Sequence, residues 1–152
     1  MKDLNKNLLI AIGNEGRSDD GIAWEFLKEV KKKGCADWEL VKRHQLSRED
    51  ANLISQSELV VFADAYNGKL QKGYLMEECY PRVDDEYSSQ ALNPCAVLAL
   101  CKDIYDKRPA SFVLKIQGNN WGVGKGLSDL GTHNVEKAVA YFERKFLMHK
   151  TI

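Results

Sequence analysis

The sequence predicts an α/β protein in which helices cover both faces of a mostly parallel β-sheet. The fully apolar run 8–12 is typical of a strand that is buried on both faces, and the apolar runs 59–63 and 112–116, the latter interrupted by Lys115, predict two further strands. The segments between them carry apolar residues at helical spacing, so strands and helices alternate along the chain. Because no Pro/Gly/Ser-rich linker and no repeat interrupts this pattern, we expect residues 1–152 to form a single domain.

The first half of the chain is predicted to contain three strands and two helices. In chain order these are a strand over 8–12, a helix over 21–33, a strand over 39–43, a short helix after the capping-box-like residues 47–50, and a strand over 59–63. Gly34 ends the first helix, and Asp64 ends the third strand.

The second half is predicted to contain two strands and two helices. In chain order these are a strand over 73–79, a helix from Pro94 that closes before Pro109, a strand over 112–116, and a helix over 135–146. Glu77 and Glu78 favour an edge position for the first of these strands. Residues 82–90 are polar and are predicted to be a loop.

Charge and hydropathy argue against several classes of partner. The chain has 22 Lys plus Arg and 22 Asp plus Glu, so neither nucleic acid nor an anionic membrane surface is an expected partner. The apolar runs are far shorter than the ~18 residues of a membrane span. The four cysteines form no CxxC pair, which favours reduced thiols in a cytoplasmic protein.

Two aspartates follow apolar strands of the predicted sheet. Asp20 lies beyond residues 8–12, and Asp64 comes directly after residues 59–63. Ligands of open α/β sheets bind at the carboxyl ends of the strands, where two carboxylates can hold a metal ion or transfer protons. The structural alternative is that Asp19 or Asp20 caps the following helix and that Asp64 caps a turn.

A glycine-rich segment over 117–131 is the second candidate for a site. It is not a phosphate-binding P-loop, because Asn119 stands at the first glycine position and Gly126 replaces the Ser or Thr. We expect a mobile substrate-binding loop, with a plain connection as the alternative. Its candidate contact residues are Gly118, Gly122 and Gly124.

The motif that runs from residue 8 to Gly21, with Gly13-Asn14 and Asp19-Asp20, resembles the N-terminal signature of the hydrogenase maturation proteases. These endopeptidases trim the C-terminus of the [NiFe] hydrogenase large-subunit precursor. Residues 60–65, an apolar strand followed by Asp-Ala, are similar to the second signature of that family. The resemblance covers most of the chain. It implies a three-layer α/β/α sandwich whose five-stranded sheet has one antiparallel strand, for which 73–79 is the candidate.

The resemblance also implies a metal-ligand set. Asp20 and Asp64 match two ligands of the family, and Gln90 stands where the family has a histidine. Since a glutamine oxygen is a harder and weaker donor than imidazole, Gln90 is expected to be a weak third ligand or only a spacer, and Mg²⁺ or Mn²⁺ suits this set better than nickel. The nickel is expected to be carried by the substrate. The family uses no serine or cysteine nucleophile, so aspartates would provide an aspartic-type endopeptidase site, with Asn14 and Asp19 as further substrate contacts.

Three functions remain open on this basis. The first is a hydrogenase maturation endopeptidase, acting as a monomer on the large-subunit precursor. The second is a family member that has lost cleavage and acts as a partner-binding assembly factor, which Gln90 favours. The third, a peptidyl-tRNA hydrolase, shares the opening Gly13-Asn14-Glu15-Gly16, but residues 17–20 lack the histidine and asparagine which that class requires.

Overall fold

A five-stranded mixed sheet forms the centre of the protein in this computed structural model, which describes residues 6–82 and 92–148. The strands are β1 (Lys6–Ile12), β2 (Trp38–Arg43), β3 (Ser57–Asn67), β4 (Tyr74–Glu78) and β5 (Ala110–Gly118). Their spatial order is β2-β1-β3-β5-β4. The first four strands in that order are parallel, and β4 pairs antiparallel with β5 at the edge. The expected sheet, with its acidic antiparallel edge strand, is therefore confirmed.

Helices cover both faces of this sheet. They are α1 (Ile22–Lys32), α2 (Asp50–Ser55), α3 (Pro94–Tyr105) and α4 (Asp129–Phe142). A 3₁₀ turn precedes α1, and a π-helical turn follows α4. One buried cluster joins α1 and α4 to the sheet, and a second joins α2 and α3 to the opposite face, which confirms the three-layer sandwich. No helix within 6–82 and 92–148 is long and apolar enough to cross a membrane.

Strand β1 shows why the central strands are apolar throughout. Its side chains alternate between the faces, so Leu9 and Ala11 join the α1/α4 cluster while Leu8 and Ile10 join the α2/α3 cluster. All four are fully buried. Burying one leucine or isoleucine side chain contributes about 1.5–3 kcal/mol, and a polar residue at any of these positions would lose that contribution.

The structure corrects two boundaries near the predicted site. Strand β3 does not end at Asp64; it continues to Asn67, because its backbone pairs with β5 as far as Gly118. Helix α4 begins at Asp129 rather than near 135, with the Ser128 side chain accepting a hydrogen bond from the Gly131 amide. The glycine-rich connection is thus shorter than predicted and spans residues 119–128.

Candidate functional site at the carboxyl edge of the sheet

Asp64 lies on the α2/α3 face of the sheet, near its carboxyl edge. It is the register partner of Ile12, the last residue of β1. Beyond that point β3 pairs only with β5 and has no partner strand on the β1 side. Alternation along β3 puts the Asp64 side chain on the same face as Phe62, which is fully buried in the α2/α3 cluster. The carboxylate is consequently partly buried against an apolar layer.

This setting changes the acidity of Asp64. Burial raises its pKa from 3.8 to about 6, the Ala65 amide opposes that rise, and the negative charge of Asp20 adds to it. The ionised carboxylate is therefore poorly compensated by the protein itself. A nearby cation would stabilise the ionised form, and a strongly perturbed carboxyl at such an edge is a typical feature of functional sites.

Asp20 is brought to the same edge by the turn that follows β1. The turn folds back on itself through hydrogen bonds from the Asn14 amide to the Asp20 carbonyl (2.8 Å) and from the Asp20 amide to the Arg17 carbonyl (3.0 Å). The Asn14 side chain accepts a hydrogen bond from the Gly16 amide at 2.9 Å, so it shapes this turn. Because the charge of Asp20 acts on Asp64, the structure places the two carboxylates near one another.

The third ligand position of the resemblance, Gln90, lies outside the described residues. Two residues later, Leu92 forms an isolated antiparallel bridge with Leu46, which follows β2. Within 6–82 and 92–148, no three His, Cys, Asp or Glu side chains are grouped so that they could hold a metal ion. His133 does not complete such a group, since it is exposed on α4, which packs on the other face of the sheet from Asp64.

His44 lies at the same edge, although a single histidine after a strand is a weak indication of a site. It follows the last residue of β2, and its Nδ1 lies 3.2 Å from the carbonyl oxygen of Gly13. Its ring packs against Trp24 with 4.9 Å between centroids. The signal that was available is its position directly after a parallel strand, the same rule that selected Asp64.

The side chain of Asp19, in contrast to that of Asp20, is held by hydrogen bonds within the protein. Its side chain is fully buried. One carboxylate oxygen accepts from the Ser128 amide at 2.8 Å, and the other accepts from the amides of Asn119 (2.8 Å) and Asn120 (3.0 Å) and from the Ser128 hydroxyl (2.7 Å). Burial alone would raise the pKa of Asp19, but these four hydrogen bonds outweigh it and hold the pKa below 3.8. Asp19 therefore does not cap α1; it fixes both ends of the 119–128 connection.

Two glycines allow Asp19 to occupy this position. A Cβ at Gly118 would lie 2.7 Å from the Asp19 Cβ, and one at Gly131 would lie 2.6 Å from an Asp19 carboxylate oxygen. Any larger residue at either place would displace the carboxylate from its donors. At Gly118 this packing gives the glycine a structural role, and substrate contact by Gly118 stays a prediction.

The 119–128 connection is also fixed at its middle. The Ser18 amide donates to the Gly124 carbonyl (2.8 Å), and the Gly124 amide donates to the Gly16 carbonyl (3.0 Å). Gly124 has a φ of +141°, which favours glycine. Between these attachments, Gly122 and Val123 are exposed, and Val123 is 88% exposed. The sequence predicts that the whole connection is mobile. With these attachments, we expect mobility at its tip, around Gly122 and Val123.

A groove of about 650 Å³ begins beside this turn and runs between α1 and α4. Its apolar lining includes Trp24, Leu127, Val135 and Val139, and charged residues of both signs border it. Trp24 connects the groove to the sheet edge, because it contacts His44 and donates from Nε1 to the Arg43 carbonyl at 3.1 Å. A chain segment lying in the groove would therefore reach the turn that carries Asp20.

Comparison with solved structures identifies the fold. The [NiFe] hydrogenase maturation protease HycI from Thermococcus kodakarensis KOD1 aligns with a TM-score of 0.72 and 18% identity, over 92% of this chain and 91% of that one. The hydrogenase maturating endopeptidase HybD from E. coli aligns with a TM-score of 0.70 and 14% identity, over 93% of this chain and 94% of that one.

This chain has the fold of the hydrogenase maturation proteases. A hydrogenase 2 maturation peptidase from a Thaumarchaeota archaeon agrees, with a TM-score of 0.68 and 12% identity over 95% of this chain and all of that one. No family model matches the sequence, and no curated protein matches it. The sequence resemblance is therefore confirmed through the fold.

Proposed function

We propose that the chain is an endopeptidase that removes the C-terminal extension of a [NiFe] hydrogenase large-subunit precursor. The observation that carries the proposal is Asp64, a carboxyl with a pKa of about 6 that lies near the carboxyl edge of the sheet and is affected by the charge of Asp20. Solved structures that share this fold include hydrogenase maturation proteases, which supports the choice of substrate class.

The residues present fit a divalent cation. Asp20 and Asp64 provide carboxylate oxygens, and a cation bound there would offset the burial that raises the pKa of Asp64. Gln90 would add a neutral amide oxygen, which makes it the weakest of the three proposed ligands. When bound, a cation at this site would supply electrophilic assistance to the peptide carbonyl or an activated water. Nickel in the precursor would reach these residues as part of the substrate.

The rest of the chain has defined roles in this proposal. The carboxylates of Asp20 and Asp64 act as cation ligands and not as a pair that shares a proton. Asp19 holds the 119–128 connection against the turn that carries Asp20. The α1/α4 groove would receive the extended tail of the precursor, whose apolar side chains would displace water from Trp24 and its neighbours.

A specific feature favours a second candidate, the assembly factor. Gln90 stands where the resemblance implies a histidine, so affinity for nickel is expected to be lower than in the family. Such a protein would bind the precursor and leave it uncut. The groove and the turn would serve both functions equally, so the two candidates differ only at the cation.

A cleavage assay on a nickel-loaded precursor tests the proposal. We expect the native chain to shorten the precursor at its C-terminus, and we expect Asp64→Asn to slow this by at least about 10–100-fold, the loss seen when even indirect ligand partners are removed. Asp103→Asn, at an exposed position of α3, is the matched control and should cut normally.

Precursor binding, precursor cleavage and Ni²⁺ titration, each measured for the native chain and for Gln90→His, separate the two candidates. Precursor binding without cleavage by the native chain, with cleavage gained in Gln90→His, would establish the assembly factor. Precursor binding and cation binding that survive both Asp20→Asn and Asp64→Asn would overturn the site.

A further inference from the structure

Two of the four cysteines are in contact although they belong to different elements. The Sγ atoms of Cys79 and Cys95 lie 3.7 Å apart. Cys79 directly follows β4, and Cys95 is the second residue of α3. Both are free thiols that pack in the α2/α3 cluster. A disulfide requires about 2.05 Å between the sulfurs, so these two must approach each other further before a bond can form.

The backbone holds this contact from both sides. The Cys79 amide donates to the Ser111 carbonyl at 2.9 Å, which continues the pairing of β4 with β5. The Arg82 amide donates to the Cys95 carbonyl at 3.0 Å, which ties the chain after Cys79 to the first turn of α3. The two sulfurs are therefore held together by the fold on both sides of the contact.

The surroundings divide the two thiols into a reactive one and a resolving one. Cys95 is partly exposed and lies in the first turn of α3. Cys79 is 8% exposed. Burial, with the Cys95 sulfur beside it, raises the pKa of Cys79 to about 12. An external oxidant consequently meets Cys95 first.

We propose that Cys79 and Cys95 form an oxidisable dithiol site that a peroxide converts to an intramolecular disulfide. The Cys95 thiolate attacks one peroxide oxygen, the O–O bond breaks, and the hydroxide that leaves takes up a proton to become water. The resulting sulfenic acid is attacked by the Cys79 sulfur. The S–O bond breaks as the S–S bond forms, and the Cys79 proton leaves with the hydroxide as a second water. Two thiols are oxidised and one peroxide is reduced to two waters.

The other two cysteines provide internal comparisons. Cys101 lies on the same helix but is fully buried, and burial raises its pKa. Cys35 is partly exposed near the end of α1, and burial raises its pKa also. Neither has the combination of partial exposure and a second sulfur at 3.7 Å. Selective oxidation of one pair out of four thiols is therefore expected.

The bond would also stabilise the fold. It would close a loop with 15 residues between the two cysteines and would join the end of β4 to the start of α3. Closing a loop of this length restricts the unfolded chain enough to raise Tm by about 6–12 °C in a domain of this size. This readout does not depend on protease activity, so it stands whether or not the proposed function is correct.

Mass spectrometry of the full chain tests the site. The protein is treated with hydrogen peroxide, remaining thiols are blocked with a maleimide, and tryptic peptides are analysed without reduction. We expect the chain to lose two hydrogens, to retain two blocked thiols, and to yield peptide 73–82 linked to peptide 83–102. Because peptide 83–102 contains both Cys95 and Cys101, the experiment is repeated in Cys101→Ala, which should keep the link, and in Cys95→Ser, which should abolish it.

The remaining outcomes would each overturn the proposal. These are a link that involves Cys35 or Cys101, a link between two chains, a Cys95 sulfinic acid without a link, and four thiols that stay blockable after treatment. A link that forms without the rise in Tm, or that a dithiol reductant does not reverse, would also contradict it.

Discussion

Asp19 and Asp64 lie in two regions of the molecule that shift the pKa of an aspartate in opposite directions. Asp19 is fully buried, accepts four hydrogen bonds, and has its pKa held below 3.8. Asp64 is only partly buried, yet burial and the charge of Asp20 raise its pKa to about 6. Hydrogen-bond donors keep the pKa of Asp19 low although its side chain is fully buried, whereas Asp64 lacks enough donors to offset its burial. A carboxylate with its donors supplied by the chain holds the fold, whereas one without them is available to a ligand.

The largest effect is expected from Asp19→Ala. The substitution leaves the amides of Asn119, Asn120 and Ser128 without their acceptor, and hydrogen bonds to a charged group contribute about 1.5–3 kcal/mol each. Since these losses are not additive, we expect the free energy of unfolding to fall by about 3–5 kcal/mol at pH 7. Denaturant unfolding measures it.

The pH dependence of that loss has a definite sign. Folding lowers the pKa of Asp19, so its contribution is complete above the unfolded pKa near 4 and is lost as pH falls through the lowered pKa. The difference in free energy of unfolding between the native chain and Asp19→Ala should therefore become smaller in acid. Asp19→Asn keeps one acceptor oxygen, so its free energy of unfolding should lie between those of the native chain and Asp19→Ala. Equal stability of Asp19→Ala and the native chain at pH 7 would remove the structural role.

The sequence predicted the fold well because its signals are local. The apolar run 8–12 predicts a buried central strand, and the acidic residues near Glu77 predict an edge strand, each from local pattern alone. The extension of β3 to Asn67 was not predictable in this way. It depends on pairing with β5, roughly 50 residues away in the chain, and nothing in residues 65–67 themselves requires a strand.

The candidate site was predicted in part for a related reason. Asp20 and Asp64 follow from the rule that ligands bind at the carboxyl edge of parallel strands. The role of Asp19 could not be found locally, because its partners Asn119 and Ser128 are 100 and 109 residues away. A local rule assigns an aspartate before a helix to capping, and only the tertiary structure shows that it binds a distant connection.

A smaller effect, of opposite sign, is expected from Asp64→Asn. Folding raises the pKa of Asp64 from 3.8 to about 6, so the metal-free protein loses stability as pH rises between these values. The full difference corresponds to about 3 kcal/mol, as an upper bound, at pH 7. Removing the charge should therefore stabilise the metal-free chain by up to that amount at pH 7 and by nothing at pH 3.

Thermal unfolding at both pH values, with a chelator present, measures this effect. The same variant should lose the cation affinity of the proposed site, so stability and function would change in opposite directions. A variant that is less stable than the native chain at pH 7 would show that Asp64 has donors that compensate its charge. The contrast with Asp19 would then disappear.

The smallest effect is expected from Asp20→Asn, and it tests whether the two carboxylates act on each other. Burial is the larger cause of the raised pKa of Asp64, and the charge of Asp20 is a smaller one. Neutralising Asp20 should therefore lower the pKa of Asp64 while leaving it above 3.8. NMR titration of the Asp64 carboxyl carbon measures the change, with Asp103→Asn as the control. An unchanged pKa would mean that the two charges do not interact, and a cation bridging Asp20 and Asp64 would lose its electrostatic basis.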